Sequence, residues 1–105
     1  MATSKLREKQ VEERICKIAK LHKGTAYKFT SPGRRSVPDR IVVIPCSDPE
    51  FRSIFIEAKR PGQKATDAQL REHKKLRARG ATVFVVDDYK SVQFAFDTIC
   101  DGSCK

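Results

Sequence analysis

The stretch "FIEAKRPGQ", residues 55–63, joins the end of an apolar strand to a pair of opposite charges. Side chains alternate between the two faces of a strand, so the even-numbered residues from Ile54 to Ala58 share the face that is expected to pack on a core. Glu57 and Lys59 share the other face, about 6.6 Å apart at a rise of ~3.3 Å per residue. An ordinary surface ion pair explains a bare glutamate and lysine at this spacing. The meaning of the two charges therefore depends on what else the chain brings to this end of the strand.

The preceding strand is expected to bring a second carboxylate. Asp39 opens the β-branched run "DRIVVI", and Pro38 suits the first position of a strand because it cannot donate to a ladder. If this run and residues 51–59 form a hairpin, one register sets Asp39 opposite Ile56, and a shift by one residue sets it opposite Glu57. The sequence leaves both registers open. In either register, Asp39 and Glu57 lie at the same end of the hairpin.

Two carboxylates at one sheet end predict a cation between them. Such groups repel each other when both are ionised. Carboxylate oxygens are hard ligands, which suit Mg²⁺ or Mn²⁺. A cation of this kind polarises a phosphoryl oxygen and acidifies a bound water. Lys59 is placed to position that water or to stabilise developing charge. Asp39, Glu57 and Lys59 together therefore predict a phosphodiester-cleaving site at the rim of the core.

The rest of the chain alternates helical and strand patterns in the order α-β-β-β-α-β-α. This order predicts a single domain of the α/β class, residues 1–105, with a mixed sheet flanked by helices. Apolar residues at helical spacing from Val11 to Ile18 indicate the first helix. Thr66 and Gln69 form a capping box at the start of a later helix, which Gly80 ends. The predicted helices cover about residues 5–23, 66–79 and 88 onward, and the predicted strands cover 25–30, 39–44, 51–59 and 82–86.

Composition narrows the function classes. The chain has 22 Lys and Arg against 13 Asp and Glu, a net charge of +9, which indicates a polyanionic partner and most often nucleic acid. No run is apolar enough to span a membrane, and no signal peptide is visible. The cysteines lack the paired spacing of a zinc site, and we expect them to be reduced thiols of a cytoplasmic protein. They are Cys16, Cys46, Cys100 and Cys104.

Three segments carry a family resemblance. They are "YKFTSPGRRSVPDR" from Tyr27, "VPDRIVVIP" from Val37 and "FIEAKRPGQKATDAQLREHKKLRARGATVFVV" from Phe55. They resemble the PD-(D/E)xK nucleases and, more closely, the virus-type replication-repair nuclease (VRR-NUC) domain, whose stand-alone members are small phage and bacterial proteins. The resemblance extends over roughly residues 8–88. It implies a restriction-endonuclease-like mixed sheet and a metal-dependent endonuclease of DNA.

The resemblance also implies roles for single residues. Asp39, Glu57 and Lys59 correspond to the catalytic core, and Gln69 to a glutamine that follows it. The implied metal ligands include Asp39, Glu57 and a glutamate of the first helix, for which we choose Glu12. Glu8 and Glu13 are the rivals, and for each of the three a solvated helix charge is an equally good explanation.

Two further residues are open to more than one interpretation. The capping box by itself accounts for Gln69. His73 lies one turn beyond Gln69, and we expect it to pack or to contact phosphate rather than to act as a general base.

The family commonly has two glycines before its first strand, whereas this chain has Lys23 and Gly24, a departure that alters the turn and not the ligands.

The expected partners are DNA and a second copy of the chain. Arg34, Arg35 and Arg60 flank the carboxylates in sequence and are the preferred phosphate contacts. Family members resemble Holliday-junction resolvases, which implies branched DNA, and two incisions on a junction need a symmetric homodimer. Phe94 falls off the apolar stripe of the last helix, so it is either a dimer contact or part of the monomer core. The alternatives are a non-catalytic nucleic-acid-binding module and an accessory subunit of a helicase or repair complex.

Overall fold

The computed structural model describes residues 7–34, 36–45 and 51–99. Seven elements follow one another in the predicted order. They are α1 (Glu8–Leu21), β1 (Thr25–Lys28), β2 (Arg40–Pro45), β3 (Phe51–Ala58), α2 (Asp67–Ala78), β4 (Val83–Val86) and α3 (Tyr89–Ile99). The predicted α/β class and element order are confirmed, with most ends one or two residues shorter than the sequence pattern indicated. The sequence also predicts a turn at residues 45–50, of which residues 46–50 lie outside the described residues, as do Arg35, Cys46, Cys100 and Cys104.

The sheet is mixed, with strand order β1-β2-β3-β4. β1, β2 and β3 pair antiparallel, and β4 pairs parallel to β3 after the crossover through α2. In the hairpin, Arg40 pairs with Ile56, which is the register that sets Asp39 beside Glu57. A backbone hydrogen bond of 2.8 Å from the Phe29 N–H to the Asp39 carbonyl continues the ladder past the end of β2.

The core lies between the sheet and the pair α1 and α3. One face of α1 and one face of α3 pack on the even-numbered side chains of β2 and β3, as the alternation of residues 54–58 predicted. The fully buried residues here include Val11, Ile15, Val42, Ile54, Ile56, Val92 and Phe96. Helix α2 covers the opposite face near the end of β3, where its His73 meets Glu57. The odd-numbered face of β3 is therefore a second buried region, and it carries charge. No helix in the described part of the chain is long and apolar enough to cross a bilayer.

The connection from α1 to β1 shows why the family commonly has two glycines where this chain has Lys23 and Gly24. Lys23 takes a left-handed conformation, with φ of 63°, which glycine adopts at lower cost. Gly24 packs so closely on β2 that a Cβ would clash with the carbonyl oxygen of Val43. The first position therefore favours glycine by conformation and the second requires it by contact.

Gly24→Ala is expected to destabilise the protein by about 1–3 kcal/mol, because the new methyl group must push β2 away from the end of α1. Gly33→Ala is the matched control, since a Cβ at Gly33 meets nothing within 4 Å. Its free energy of unfolding should stay within about 0.5 kcal/mol of the wild type. Denaturant unfolding measures both. Equal stability of the two variants would contradict the close approach at Gly24.

Candidate active site

Glu57 is the centre of the site. It lies next to the last residue of β3, and α2 covers it so fully that it is 2% exposed. Its Oε2 accepts a hydrogen bond from Gln69 Nε2 at 3.2 Å and lies 3.9 Å from Lys59 Nζ. Its Oε1 has no hydrogen-bond partner and lies 3.6 Å from His73 Nε2. A carboxylate in this position is desolvated and only partly compensated.

Asp39 supplies the second carboxylate. Its Oδ2 accepts a hydrogen bond of 2.8 Å from the backbone N–H of Ala58, which fixes it across the end of the hairpin. The charge of Asp39 also repels that of Glu57. The predicted convergence of these two groups is present, because the hairpin register brings them to the same level of the sheet.

Burial, and then the neighbouring Asp39, raise the pKa of Glu57 from 4.5 to about 8. The Lys59 ammonium opposes this change without cancelling it. Lys59 is itself buried, at 7% exposed, so its charge is not dispersed by solvent as in a surface ion pair. Without a cation, Glu57 therefore holds a proton at neutral pH. The arrangement is not the ordinary surface pair that a bare glutamate and lysine suggested.

The first-helix glutamates occupy different places. The Arg40 guanidinium binds Glu12 Oε1, at 3.0 Å from Nη2 and 3.2 Å from Nε, and holds this carboxylate against β2. Glu8 interacts electrostatically with the pair: burial and then the charge of Asp39 raise the pKa of Glu8, and the charge of Glu8 raises the pKa of Glu57. Which of the two glutamates is the third carboxylate stays a prediction. Glu13 is exposed at the surface of α1.

Gln69 has both of the roles that the sequence left open. Its Oε1 accepts the Thr66 N–H at 2.9 Å and completes the capping box at the start of α2. This contact turns the amide nitrogen toward Glu57, to which it donates at 3.2 Å. The helix cap therefore orients a hydrogen-bond donor into the site.

His73 is the residue whose place the sequence did not reveal. It is fully buried on the inner face of α2, so of the two expected roles, packing and a phosphate contact, the burial fits packing. Burial, and then the charges of Arg77 and Lys59, lower its pKa, which keeps the imidazole neutral. The signal available in the sequence was its position one turn after Gln69, on the same face of the helix.

The candidate DNA contacts differ in how strongly their side chains are held by the rest of the protein. Arg34 is tied to Glu72 of α2, with its Nε 3.1 Å from Oε2 and its Nη2 3.3 Å from Oε1. Arg60 is exposed in the loop after β3, and Asp87 anchors that loop through the Gly62 N–H at 3.1 Å. Arg35 lies outside the described residues. Of the described candidates, Arg60 has the less restricted side chain.

The donor set fits a hard divalent cation in part. Among the described residues, no three His, Cys, Asp or Glu side chains are gathered closely enough to form a ready-made metal centre. Asp39 and Glu57 nevertheless form a close pair, Glu8 adds negative charge, and Glu57 Oε1 is a buried acceptor without a hydrogen-bond partner. Oxygen ligands of this kind match Mg²⁺ and Mn²⁺.

A mixed sheet whose central hairpin ends in Asp39, Glu57 and Lys59 is the arrangement of the PD-(D/E)xK nucleases. No family model matches the chain. A phage protein named "Putative nuclease p44", from Acyrthosiphon pisum secondary endosymbiont phage 1, is 46% identical over 82 residues, which cover 78% of this chain and 84% of the phage protein. A solved structure described as a VRR_NUC domain has a TM-score of 0.76 and 32% identity, covering 86% of this chain and 94% of that one. The chain belongs to the VRR-NUC family of nucleases, as its motifs predicted.

The raised pKa of Glu57 gives a testable pH dependence. Between its unfolded value of 4.5 and about 8, the folded protein binds a proton that the unfolded chain has released. The free energy of unfolding that Glu57 contributes therefore falls as pH rises through this window. In EDTA, the melting temperature should therefore fall less for Glu57→Gln than for the wild type as the pH is raised from about 5 to about 8.

Glu13→Gln is the control for this experiment, because it removes an exposed carboxylate from the same protein. Its melting temperature should follow the wild-type curve. Parallel curves for Glu57→Gln and the wild type would show that Glu57 is not protonated in the fold.

Proposed function

We propose that this nuclease is a divalent-metal-dependent endonuclease that hydrolyses phosphodiester bonds in DNA. The single observation that carries the proposal is the meeting of the half-buried Asp39 with the buried Glu57 at one sheet end, where burial and then the charge of Asp39 raise the pKa of Glu57 to about 8. A protein gains nothing in stability from two carboxylates held in this way, whereas a bound cation makes both of them favourable. We propose Mg²⁺ or Mn²⁺ as the cofactor.

Asp39 and Glu57 would hold the cation, and Glu8 would add charge from α1. Bound there, Mg²⁺ or Mn²⁺ supplies Lewis acidity toward a phosphoryl oxygen and a more acidic water. Lys59 remains beside Glu57 and provides a desolvated ammonium for the charge that develops on the phosphate. Gln69 keeps Glu57 Oε2 in place through its hydrogen bond. Arg60 and Arg34 lie on loops next to the site and would contact the DNA backbone.

The first test is cleavage of supercoiled plasmid. The wild type should cut with Mg²⁺ or Mn²⁺ and stop in excess EDTA. Asp39→Ala, Glu57→Ala and Lys59→Ala should each lower the rate by about 10²-fold or more, because each group acts on charge in the transition state. Glu13→Gln is the control and should cut at the wild-type rate. Undiminished cutting in EDTA, or wild-type rates for two of the three alanine variants when they are folded, would refute the proposal.

The second test separates the glutamates of α1. Glu8→Gln should raise the Mg²⁺ concentration needed for half-maximal cleavage by about tenfold or more. Glu12→Gln should change it less, because Arg40 already occupies that carboxylate. A Mg²⁺ titration of both variants decides between them. A larger effect of Glu12→Gln than of Glu8→Gln would show that Glu12, and not Glu8, is the metal ligand from α1.

Substrate and assembly form the third part of the proposal. The proposed substrate is a branched DNA such as a four-way junction, whose resolution requires two incisions. A C₂ homodimer would supply the two active sites. The proposed location is the cytoplasm. Phe94 supports a dimer contact, since it is 64% exposed and rests edge-on against Phe84 at a centroid distance of 6.4 Å. An aromatic group held in place and open to solvent is suited to a protein interface.

Light scattering is expected to give about twice the chain mass of 11.9 kDa for the wild type. Phe94→Glu should shift the protein toward the monomer, because a charge would be buried at the interface. Junction DNA should compete for the wild type better than linear duplex of equal length. A wild-type monomer at working concentration would contradict the dimer, and equal competition would contradict the preference for branched DNA.

A further inference from the structure

Three buried polar atoms in the described part of the chain lack a hydrogen-bond partner. They are Glu57 Oε1, His73 Nδ1 and His73 Nε2. Two of them face each other, since Nε2 lies 3.6 Å from Oε1. Both side chains are removed from solvent, His73 completely and Glu57 almost so. Buried polar atoms without hydrogen bonds lower the stability of a fold, so the presence of two such atoms next to each other needs a physical explanation.

The distance lies just outside a hydrogen bond. A closure of a few tenths of an ångström would satisfy Nε2 and Oε1 at the same time. Such tightening is common when an active site passes from its free to its loaded state. A carboxylate that binds a cation keeps its orientation when hydrogen-bond donors fill its remaining acceptor positions.

The other oxygen of Glu57 is already provided for. Oε2 receives the Gln69 amide and lies beside the Lys59 ammonium. His73 carries ring nitrogens that can donate, its Nε2 lies 3.6 Å from Oε1, and it projects from the same helix face as Gln69, one turn away. Gln69 and His73 thus approach the two oxygens of one carboxylate from adjacent turns of α2.

We propose that His73 is a positioning residue, which donates its Nε2–H to Glu57 Oε1 and holds the carboxylate in the orientation that binds the cation. This inference rests on the proposed metal-dependent nuclease function. Because His73 is fully buried, it does not touch DNA and takes no proton from water. Its effect should therefore fall on metal affinity and turnover, and not on DNA binding.

The test compares three substitutions that differ in where they place a donor. His73→Leu removes every donor, His73→Gln places an amide nitrogen near the position of Nε2, and His73→Asn places one near Nδ1. Mn²⁺ affinity is measured on the DNA-free protein by electron paramagnetic resonance, and kcat and KM are measured on a labelled junction. His22→Gln is the control, because His22 stacks on Phe96 away from the carboxylates.

His73→Leu should weaken Mn²⁺ binding and lower kcat by about 10–100-fold, with KM for DNA within about twofold of the wild type. His73→Gln should recover most of this loss, and His73→Asn should not. Wild-type Mn²⁺ affinity in His73→Leu would overturn the proposal. Equal impairment of all three variants would also overturn it, since loss of packing would then explain the result.

A second measurement does not depend on the folding of the His73 variants. The chain has two histidines, so His22→Gln assigns the ¹⁵N spectrum of His73. We expect the proton on Nε2 and a bare Nδ1, and the opposite tautomer would overturn the proposal for His73 alone. A wild type that neither binds Mn²⁺ nor cuts DNA would instead refute the proposed function, and the inference with it.

Discussion

The close approach of Asp39 and Glu57 determines how the other groups of the site must be arranged. Two carboxylates are held together where the hairpin of β2 and β3 ends, and one of them is buried beneath α2. In the free protein this arrangement is unfavourable, as the raised pKa of Glu57 indicates. The fold must therefore supply stability elsewhere, and the apolar core between the sheet and the pair α1 and α3 supplies it. Stability and chemistry are thus assigned to opposite faces of one sheet.

Each element contributes to keeping that pair in place. The antiparallel register sets Asp39 at the level of Glu57, and the Ala58 N–H fixes its side chain. The parallel return of β4 requires a crossover, and the crossover helix α2 lies over the charged face. The capping box of α2 then directs Gln69 toward Glu57, while its next turn brings His73. The same backbone features that start and position the helix also arrange the donors around the carboxylate.

Much of this fold follows from the sequence, because its apolar periodicities are regular and its turns carry glycine and proline. The order of elements, the capping box of Thr66 and the meeting of Asp39 with Glu57 all follow from local pattern. The hairpin register remained open by one residue, since no local signal fixes it when the turn is uncertain. The sequence could not show that Lys59 and Glu57 are both buried, because the cover comes from α2, which lies far along the chain.

The choices that the sequence left open have a common physical origin. The choice between Glu8 and Glu12 depends on where α1 lies along the sheet and how it is rotated about its axis, and helix periodicity does not fix either quantity. Arg40, which pairs with Glu12, is next to Asp39 in sequence but points to α1, and only the three-dimensional packing shows this. The sequence left His73 open between packing and a phosphate contact for the same reason. Residues whose role depends on two elements meeting are those that a single-strand or single-helix pattern cannot place.

The central claim is that the Asp39 and Glu57 carboxylates form a divalent-cation site. The most direct measurement is an anomalous difference map from crystals of the protein soaked in Mn²⁺. The account predicts one manganese peak between Asp39 and Glu57, with Glu12 still bound to Arg40. A map with no peak at these two carboxylates, or with manganese bound only at other residues, would contradict it.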